Sequence, residues 1–336
     1  MKIVQISTNT VPVPPIDYGG KQRDIYYLTE DLIRRGHEVI LYAMKGSKSS
    51  AKTFEYPSDD PKQQLDFIIQ TMPEDVDIIH DHYGIVAEAN PPIPTIRNAH
   101  GYQKVVGQIC VYVSKKMLKT IGNNKGYFVH NGIGLRDYPF SQEKEDFLLF
   151  LGRMEENKGV HLAIKVAKKT GRKLIIAGPI RKKRESEYFH AKIAPELNDQ
   201  IIYIGSVGGE KKQQLLSKAY CVLFPSVWNE PFGLVPIEAL ACGTPVLALK
   251  YGAVPEVLKG MPKFLCKNTQ EMITKMNYIK KLYSPEECRR YVEKNFTDQV
   301  MTDHFLQVYD KILREKEYKV IRNSEWTKRK KALKKE

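Results

Sequence analysis

Short apolar runs, each closed by a turn containing glycine or proline and followed by an amphipathic stretch, recur along this chain. That is the pattern of βα units in a parallel sheet, and it sets the fold class as α/β. The first unit reads as a strand at 2–7, a proline-rich loop ending Tyr18-Gly19-Gly20, and a helix with Ile25, Leu28 and Leu32 on one face. Gly36, just past the basic pair Arg34-Arg35, stops that helix. Further strands are expected at 39–43, 76–79, 93–96, 109–113 and 127–129. A polar stretch, Ser141-Gln142-Glu143-Lys144-Glu145-Asp146, then separates these from a second series opening with Phe147-Leu148-Leu149-Phe150-Leu151-Gly152. That series continues at 174–177, 201–204, 221–224 and 246–249. The 336 residues suit about two domains, and the polar stretch is the expected linker.

The balance of 53 Lys and Arg against 39 Asp and Glu leaves a formal net charge of +14, which favours an anionic partner: nucleotide phosphate, nucleic acid or an acidic membrane surface. With 42% hydrophobic and 27% charged residues, disorder as the main state is excluded. Cys110, Cys221, Cys242, Cys266 and Cys288 are odd in number and lack any Cys-x-x-Cys spacing, which argues against a disulfide framework and a zinc cluster. The N-terminus turns polar too early for a signal-peptide core and no 18-residue apolar run occurs, so a cytoplasmic protein is expected.

In open parallel sheets ligands bind beyond the carboxyl ends of the strands, so the loops after each apolar run carry the chemistry. After 221–224 comes Asn229-Glu230-Pro231-Phe232-Gly233-Leu234-Val235-Pro236-Ile237-Glu238, followed by Ala241-Cys242-Gly243-Thr244-Pro245-Val246. A helix beginning near Gly233 would aim free backbone N–H groups and its positive dipole end at the strand ends, where a phosphate could lie. Glu230 and Glu238 could each accept from neighbouring hydroxyls of a sugar or ribose. Taken singly, Glu230 reads as a helix N-terminal acid and Glu238 as a solvated helix residue. After the strand 147–151, Arg153 offers a planar fork and Lys158 a point charge that could neutralise a departing diphosphate without a metal.

The combination Glu-x7-Glu around Pro-Phe-Gly-Leu, followed by Ala-x-Gly-x-Pro-Val, resembles the donor-site signature of family 4 (group 1) glycosyltransferases of the GT-B fold. The resemblance implies two Rossmann-like doubly wound domains facing across a cleft. The expected domains are 1–143 on the acceptor side, with a terminal helix crossing back from about 315–336, and 144–314 on the donor side. It implies that Glu230 contacts the transferred sugar, that amides around Phe232, Gly233 and Leu234 contact sugar hydroxyls or phosphate, and that Glu238 holds the nucleotide ribose. Gly-Arg-x4-Lys-Gly around Arg153 and Lys158 is similar to the family's diphosphate clamp, and His100 in Asn98-Ala99-His100-Gly101-Tyr102 to its active-site histidine. Gly19 and Gly20 match its glycine-rich loop, and Gly205-Ser206-Val207-Gly208-Gly209 would border the nucleobase, with Val207 at its centre.

The implied activity is retaining, metal-independent transfer of a sugar from a nucleoside-diphosphate sugar to an acceptor hydroxyl on a glycolipid, polysaccharide or small glycoside. The nucleotide sugar is a co-substrate, and no cofactor or metal is expected. A sugar-nucleotide epimerase or hydrolase on the same fold, or a basic nucleic-acid or membrane-surface binding protein, are the competing readings; nucleic acid is not the expected partner. Asp75-Val76-Asp77 has the Asp-x-Asp form of a metal-diphosphate motif but reads better as the start of a strand, and His80-Asp81-His82 lacks further zinc ligands. His82 and Tyr83 suit acceptor-side lining. The basic tail Lys328-Arg329-Lys330-Lys331-Ala332-Leu333-Lys334-Lys335-Glu336 reads as a solvated, frayed terminus, or as an arm for peripheral contact with an anionic membrane at its inner face.

Overall fold

A computed structural model describes residues 1–102, 107–316, 318–320 and 324–334. Along the chain the strands are β1 (Lys2–Ile6), β2 (Glu38–Ala43), β3 (Lys52–Glu55), β4 (Ile78–Asp81), β5 (Thr95–Ala99), β6 (Ile109–Tyr112), β7 (Tyr127–Phe128), β8 (Phe147–Leu151), β9 (Lys173–Ala177), β10 (Ile201–Tyr203), β11 (Cys221–Phe224), β12 (Val246–Leu249) and β13 (Leu265–Cys266). They form a seven-stranded sheet, β3-β2-β1-β4-β5-β6-β7, and a six-stranded sheet, β10-β9-β8-β11-β12-β13. The pairings between these strands are parallel. Both sheets repeat one order: the first strand of each series sits inside and the chain reverses direction beside it. That switch point lies between β1 and β4 in one sheet and between β8 and β11 in the other, where the loops leaving the two strands diverge and leave a crevice.

Two compact units carry the sheets. The first comprises residues 1–15, 19–132 and 298–336; the second comprises 16–18 and 133–297. The chain therefore passes into the second unit at 132/133, ahead of the polar stretch expected as the linker. Lys144 shows why that stretch belongs inside: its Nζ donates to the carbonyls of Ser217 (2.8 Å) and Cys242 (3.1 Å) and to Thr244 Oγ1 (2.8 Å). The return to the first unit also comes earlier than 315. The helix Asp298–Glu315 buries Phe305, Val308 and Ile312 and packs on the helix Gly20–Arg34. Arg35 fastens the two by pairing with Asp303 and donating to the Gln299 carbonyl at 3.1 Å.

The terminal helix Glu325–Leu333 is no frayed end. Trp326 is buried in the core of the first unit with Ile68, Ile69 and Met72, and Arg329 pairs with Asp66 at 2.7 Å. Lys335 and Glu336 of the basic tail lie outside the described residues.

Candidate functional site

In the second unit the loops after β8 and β11 flank the switch point, and they hold the motifs singled out above. Gly159, at φ +76°, lets the first loop approach the second: a Cβ there would lie 2.2 Å from the Pro225 carbonyl oxygen. The two loops are then stitched by backbone, with the amides of Val227 and Trp228 donating to the Asn157 carbonyl at 2.9 and 3.1 Å.

This stitching brings Lys158 to Glu230. Lys158 Nζ donates to Glu230 Oε1 at 2.6 Å, and Ser226 Oγ donates to the same oxygen at 2.8 Å. The ammonium also sits 4.1 Å from the centre of the Trp228 ring, a cation–π contact. Glu230 is 5% exposed and Lys158 8%, so neither is the surface residue that each would be if read alone. Burial pushes the Lys158 ammonium below its ordinary value and the facing Glu230 carboxylate pulls it back up.

Arg153 does not reach the same oxygen. Its Nη1 pairs with Glu155 Oε1 at 2.7 Å and lies 3.6 Å from Glu185 Oε1, while Arg184 shares Glu155 at 2.7 Å. The sequence suggested two cations waiting for a diphosphate; in the structure each already has a carboxylate partner. Tyr18, which folds with this unit, is within reach of Arg153, and its phenol is raised chiefly by burial, with the Arg153 charge acting against it. Its carbonyl accepts from Arg181 at 2.9 Å.

Gly233, at φ +108°, precedes the helix Leu234–Ala241, as the motif predicts. Glu238, one turn inside that helix, is 2% exposed rather than solvated. Its Oε1 accepts from Lys212 Nζ at 2.6 Å and from Tyr138 Oη at 2.7 Å. Phe232 packs its ring against Phe296, with centroids 5.8 Å apart, which leaves only its backbone for a ligand. Val207 is buried beside Gly208, where a Cβ would collide with the backbone of Ile16 and Asp17.

In the first unit His100 follows β5 directly, because that strand runs to Ala99 rather than ending at 96. Gln5 Oε1 accepts from His82 Nε2 at 3.1 Å, which leaves His82 Nδ1 to accept from His100 Nε2 at 2.9 Å. His82 in turn stacks on His80, with ring centroids 3.9 Å apart, and His80 Nδ1 lies 2.6 Å from the Tyr309 hydroxyl. Burial holds all three imidazoles below their ordinary value, His80 to about 3. Asp81 accepts four backbone N–H groups, from Tyr83, Gly84, Val86 and Ala87, at 2.6–3.0 Å, so its carboxylate caps a helix instead of binding a metal. Asp75 and Asp77 bind the side chain and amide of Lys2 at 2.6 and 2.7 Å, as strand-edge residues do. Gly19 has an extended backbone, and a Cβ there would meet Pro15 at 2.7 Å; Gly20 opens the helix Gly20–Arg34.

Glu155, Glu185, Ser226, Trp228, Lys212 and Tyr138 were not apparent as site residues from the sequence. Glu155 stood two places after Arg153 and Trp228 two before Glu230, but the Glu155 carboxylate gives no local sign of which cation it takes.

The sequence profile of the glycosyl transferases, group 1, matches residues 135–298, the span that holds both loops. Residues 135–298 belong to the group 1 glycosyl transferases. Relatives of the chain include an uncharacterized glycosyltransferase of Methanocaldococcus jannaschii, MJ1607, 33% identical over 122 residues, which are 35% of this chain and 30% of the relative. Another is the O-antigen chain mannosyltransferase RfbU of Salmonella typhimurium, 29% identical over 151 residues, 44% of this chain and 42% of the relative. The chain thus spans less than half the length of these two relatives. Among solved structures, AviGT4, a glycosyltransferase involved in avilamycin A biosynthesis, is 26% identical with a TM-score of 0.79, over 94% of this chain and 98% of that one. Anabaena HepE, solved with UDP and glucose, shares the fold at 16% identity and a TM-score of 0.75, over 92% of this chain and 99% of that one. The two Rossmann-like units are those of the GT-B fold expected from the sequence.

Proposed function

We propose that this chain transfers a sugar from a nucleoside-diphosphate sugar to an acceptor hydroxyl with retention of configuration and without a metal ion, as a member of family 4. The observation that carries the proposal is the buried Lys158–Glu230 pair at the β8/β11 switch point, beside the start of the helix Leu234–Ala241. A buried pair contributes little net stability, because desolvation offsets the attraction. It is therefore a natural place for a ligand to exchange partners.

In this mechanism the diphosphate takes the Lys158 ammonium and the amides at the head of the helix Leu234–Ala241, with Arg153 bearing on the same group. Glu230 turns to the hydroxyls of the transferred sugar and Glu238 to the ribose. The Gly205–Gly209 loop borders the base. His100, with Gly19 and Gly20, serves the acceptor side. The C–O bond to the diphosphate breaks as the acceptor oxygen approaches the same face of the sugar. The leaving diphosphate takes the acceptor's proton, so charge and protons balance without a protein nucleophile. Each preorganised donor on the leaving group is worth about 3–4 kcal/mol in the transition state.

Support also comes from HepE, whose solved structures hold UDP, or UDP-glucose. A thermal-shift panel of UDP, GDP, ADP and their sugars tests donor binding, since a ligand at a hundred times its Kd stabilises by about 2.7 kcal/mol. No shift with any of them refutes the proposal. Turnover of the donor with no acceptor present would favour the epimerase or hydrolase reading, and loss of transfer in EDTA would refute metal independence.

A further inference from the structure

The β1/β4 switch point of the first unit carries two cations, and among the described residues the carboxylate facing them, Asp81, is engaged elsewhere. Arg97 stands on β5 in register with Asp81 of β4, and its guanidinium packs against the 82–84 loop. Gly84 makes room for it: at φ +113°, a Cβ there would lie 2.6 Å from Arg97 Cζ. The Nε and Nη1 nitrogens of Arg97 are buried and have no hydrogen-bond partner among the described residues. Lys21, in the first turn of the helix Gly20–Arg34, reaches the other end of the same loop, with Nζ 3.4 Å from the His82 carbonyl. Lys21 is held to about 8 by burial first and the Arg97 charge second.

The carboxylate facing them is Asp81, and its two oxygens are already engaged by four backbone amides. Buried guanidinium N–H groups left unpaired are costly, and an anion that accepts from them removes that cost. Two cations on either side of one loop, together with the positive end of a fifteen-residue helix, match a group of about two negative charges with several acceptor oxygens.

We propose that Arg97 and Lys21 form a phosphate subsite of the first unit, so that the acceptor bears a phosphate. This rests on the sugar-transfer proposal above for the word acceptor, but not for the binding itself. Arg97 supplies the fork, Lys21 the point charge, and His100 stands at the end of the strand that carries Arg97. The phosphate belongs to a soluble monoester or to the diester of a lipid headgroup; the oxygens presented to Arg97 are the same.

The test is calorimetric titration of the whole chain, first saturated with UDP so that the second unit is occupied, with inorganic phosphate, glycerol 3-phosphate and dihexanoyl-phosphatidylglycerol. At least one should bind, the monoester pointing to a soluble acceptor and the short-chain lipid to a membrane one. Arg97→Gln and Lys21→Gln should each weaken that binding by about tenfold or more while UDP binding is unchanged. Because Nε and Nη1 of the guanidinium have no partner among the described residues, Arg97→Gln should leave ligand-free thermal stability unchanged or raise it, which separates loss of a binding group from loss of structure. Arg97→Lys should recover part of the affinity. No phosphate binding by the wild type, equal binding by Arg97→Gln, or a large fall in its ligand-free stability overturns the subsite. Failure of the wild type to bind UDP, GDP or ADP instead overturns the donor proposal, and the comparison of wild type with Arg97→Gln on phosphate alone then still decides the subsite.

Discussion

Replacing Lys158 by Met keeps the stem that lies on Trp228 but leaves the Glu230 carboxylate buried with only the Ser226 hydroxyl on its paired oxygen. Removing one member of a buried ion pair typically costs about 3–5 kcal/mol, because the remaining charge is desolvated without compensation. For a unit of this size about 1 kcal/mol corresponds to about 2–4 °C in Tm, so Lys158→Met should melt roughly 6–20 °C below the wild type. Glu230→Leu should fall by a similar amount, since it strands the ammonium instead. The double variant has no charge to strand, and buried pairs are often replaced by apolar residues at little net cost. It should therefore be more stable than either single variant, which requires a coupling larger than either single loss, at least about 3 kcal/mol in the double-mutant cycle. Urea unfolding of the four proteins at neutral pH, without nucleotide, measures this directly. Losses that simply add, or single variants within about 1 kcal/mol of the wild type, would mean that the two groups are not a desolvated pair, and partner exchange would lose its basis.

Tyr138→Phe removes one donor to the buried Glu238 carboxylate and should cost about 1.5–3 kcal/mol of stability by urea unfolding, with weaker nucleotide-sugar binding; an unchanged midpoint would show that Lys212 alone satisfies the carboxylate. The buried imidazole of His80 has a folded-state value of about 3 against 6.5 for the free side chain, so the folded form binds fewer protons between these limits. Its contribution to stability is present above about pH 6.5 and is lost as the pH falls toward 3, by up to about 1.4 kcal/mol per pH unit. His80→Phe should flatten that acid slope by about one proton, and identical slopes in wild type and variant would refute it. Lys328, Lys331 and Lys334 are exposed at spacings that place them on one side of the terminal helix. Reversing all three to Glu should abolish sedimentation with anionic vesicles if this face meets a membrane, whereas truncation would confound the result by removing buried Trp326.

The central strands were legible because their chemistry is local. Phe147–Leu151, Cys221–Phe224 and Val246–Leu249 are continuous apolar runs, and burial on both faces makes such runs the natural signature of a parallel sheet. The edge strands Lys52–Glu55 and Leu265–Cys266 escaped notice, the first because an edge leaves its residues half-wet and the second because two residues carry no pattern. The strand expected at 76–79 lies at Ile78–Asp81, its end obscured by two polar residues that are fully buried because His80 meets Tyr309 and Asp81 takes a run of amides just beyond it. The point where the chain enters the second unit was misjudged for the same reason. A run of charges reads as solvated linker, but Lys144 satisfies its three donors on three carbonyl or hydroxyl oxygens.

Within the site, loop positions followed from sequence but pairings did not. Two loops on either side of a switch point border the same crevice in this topology, so the strand order places Lys158 and Glu230 at one crevice, and the backbone bonds to Asn157 bring them together. Which carboxylate each cation chose depended on reach: Lys158 has a short path to Glu230 across the Asn157–Trp228 stitch, while Arg153 is taken up by Glu155 and Glu185. The consequence is an asymmetry between the two units. The second unit's cations at its switch point are paired internally and can be released by a ligand that offers a better anion. Arg97 of the first unit is held with two nitrogens that have no partner among the described residues, so a ligand at the proposed subsite would displace none of these and would add charge-assisted hydrogen bonds. A ligand that must exchange partners meets a threshold that discriminates against weak anions, while one entering the unpaired site does not. Simple phosphates should therefore bind the first unit more readily than the second, and nucleoside diphosphates, with base and ribose contacts to add, should show the reverse order.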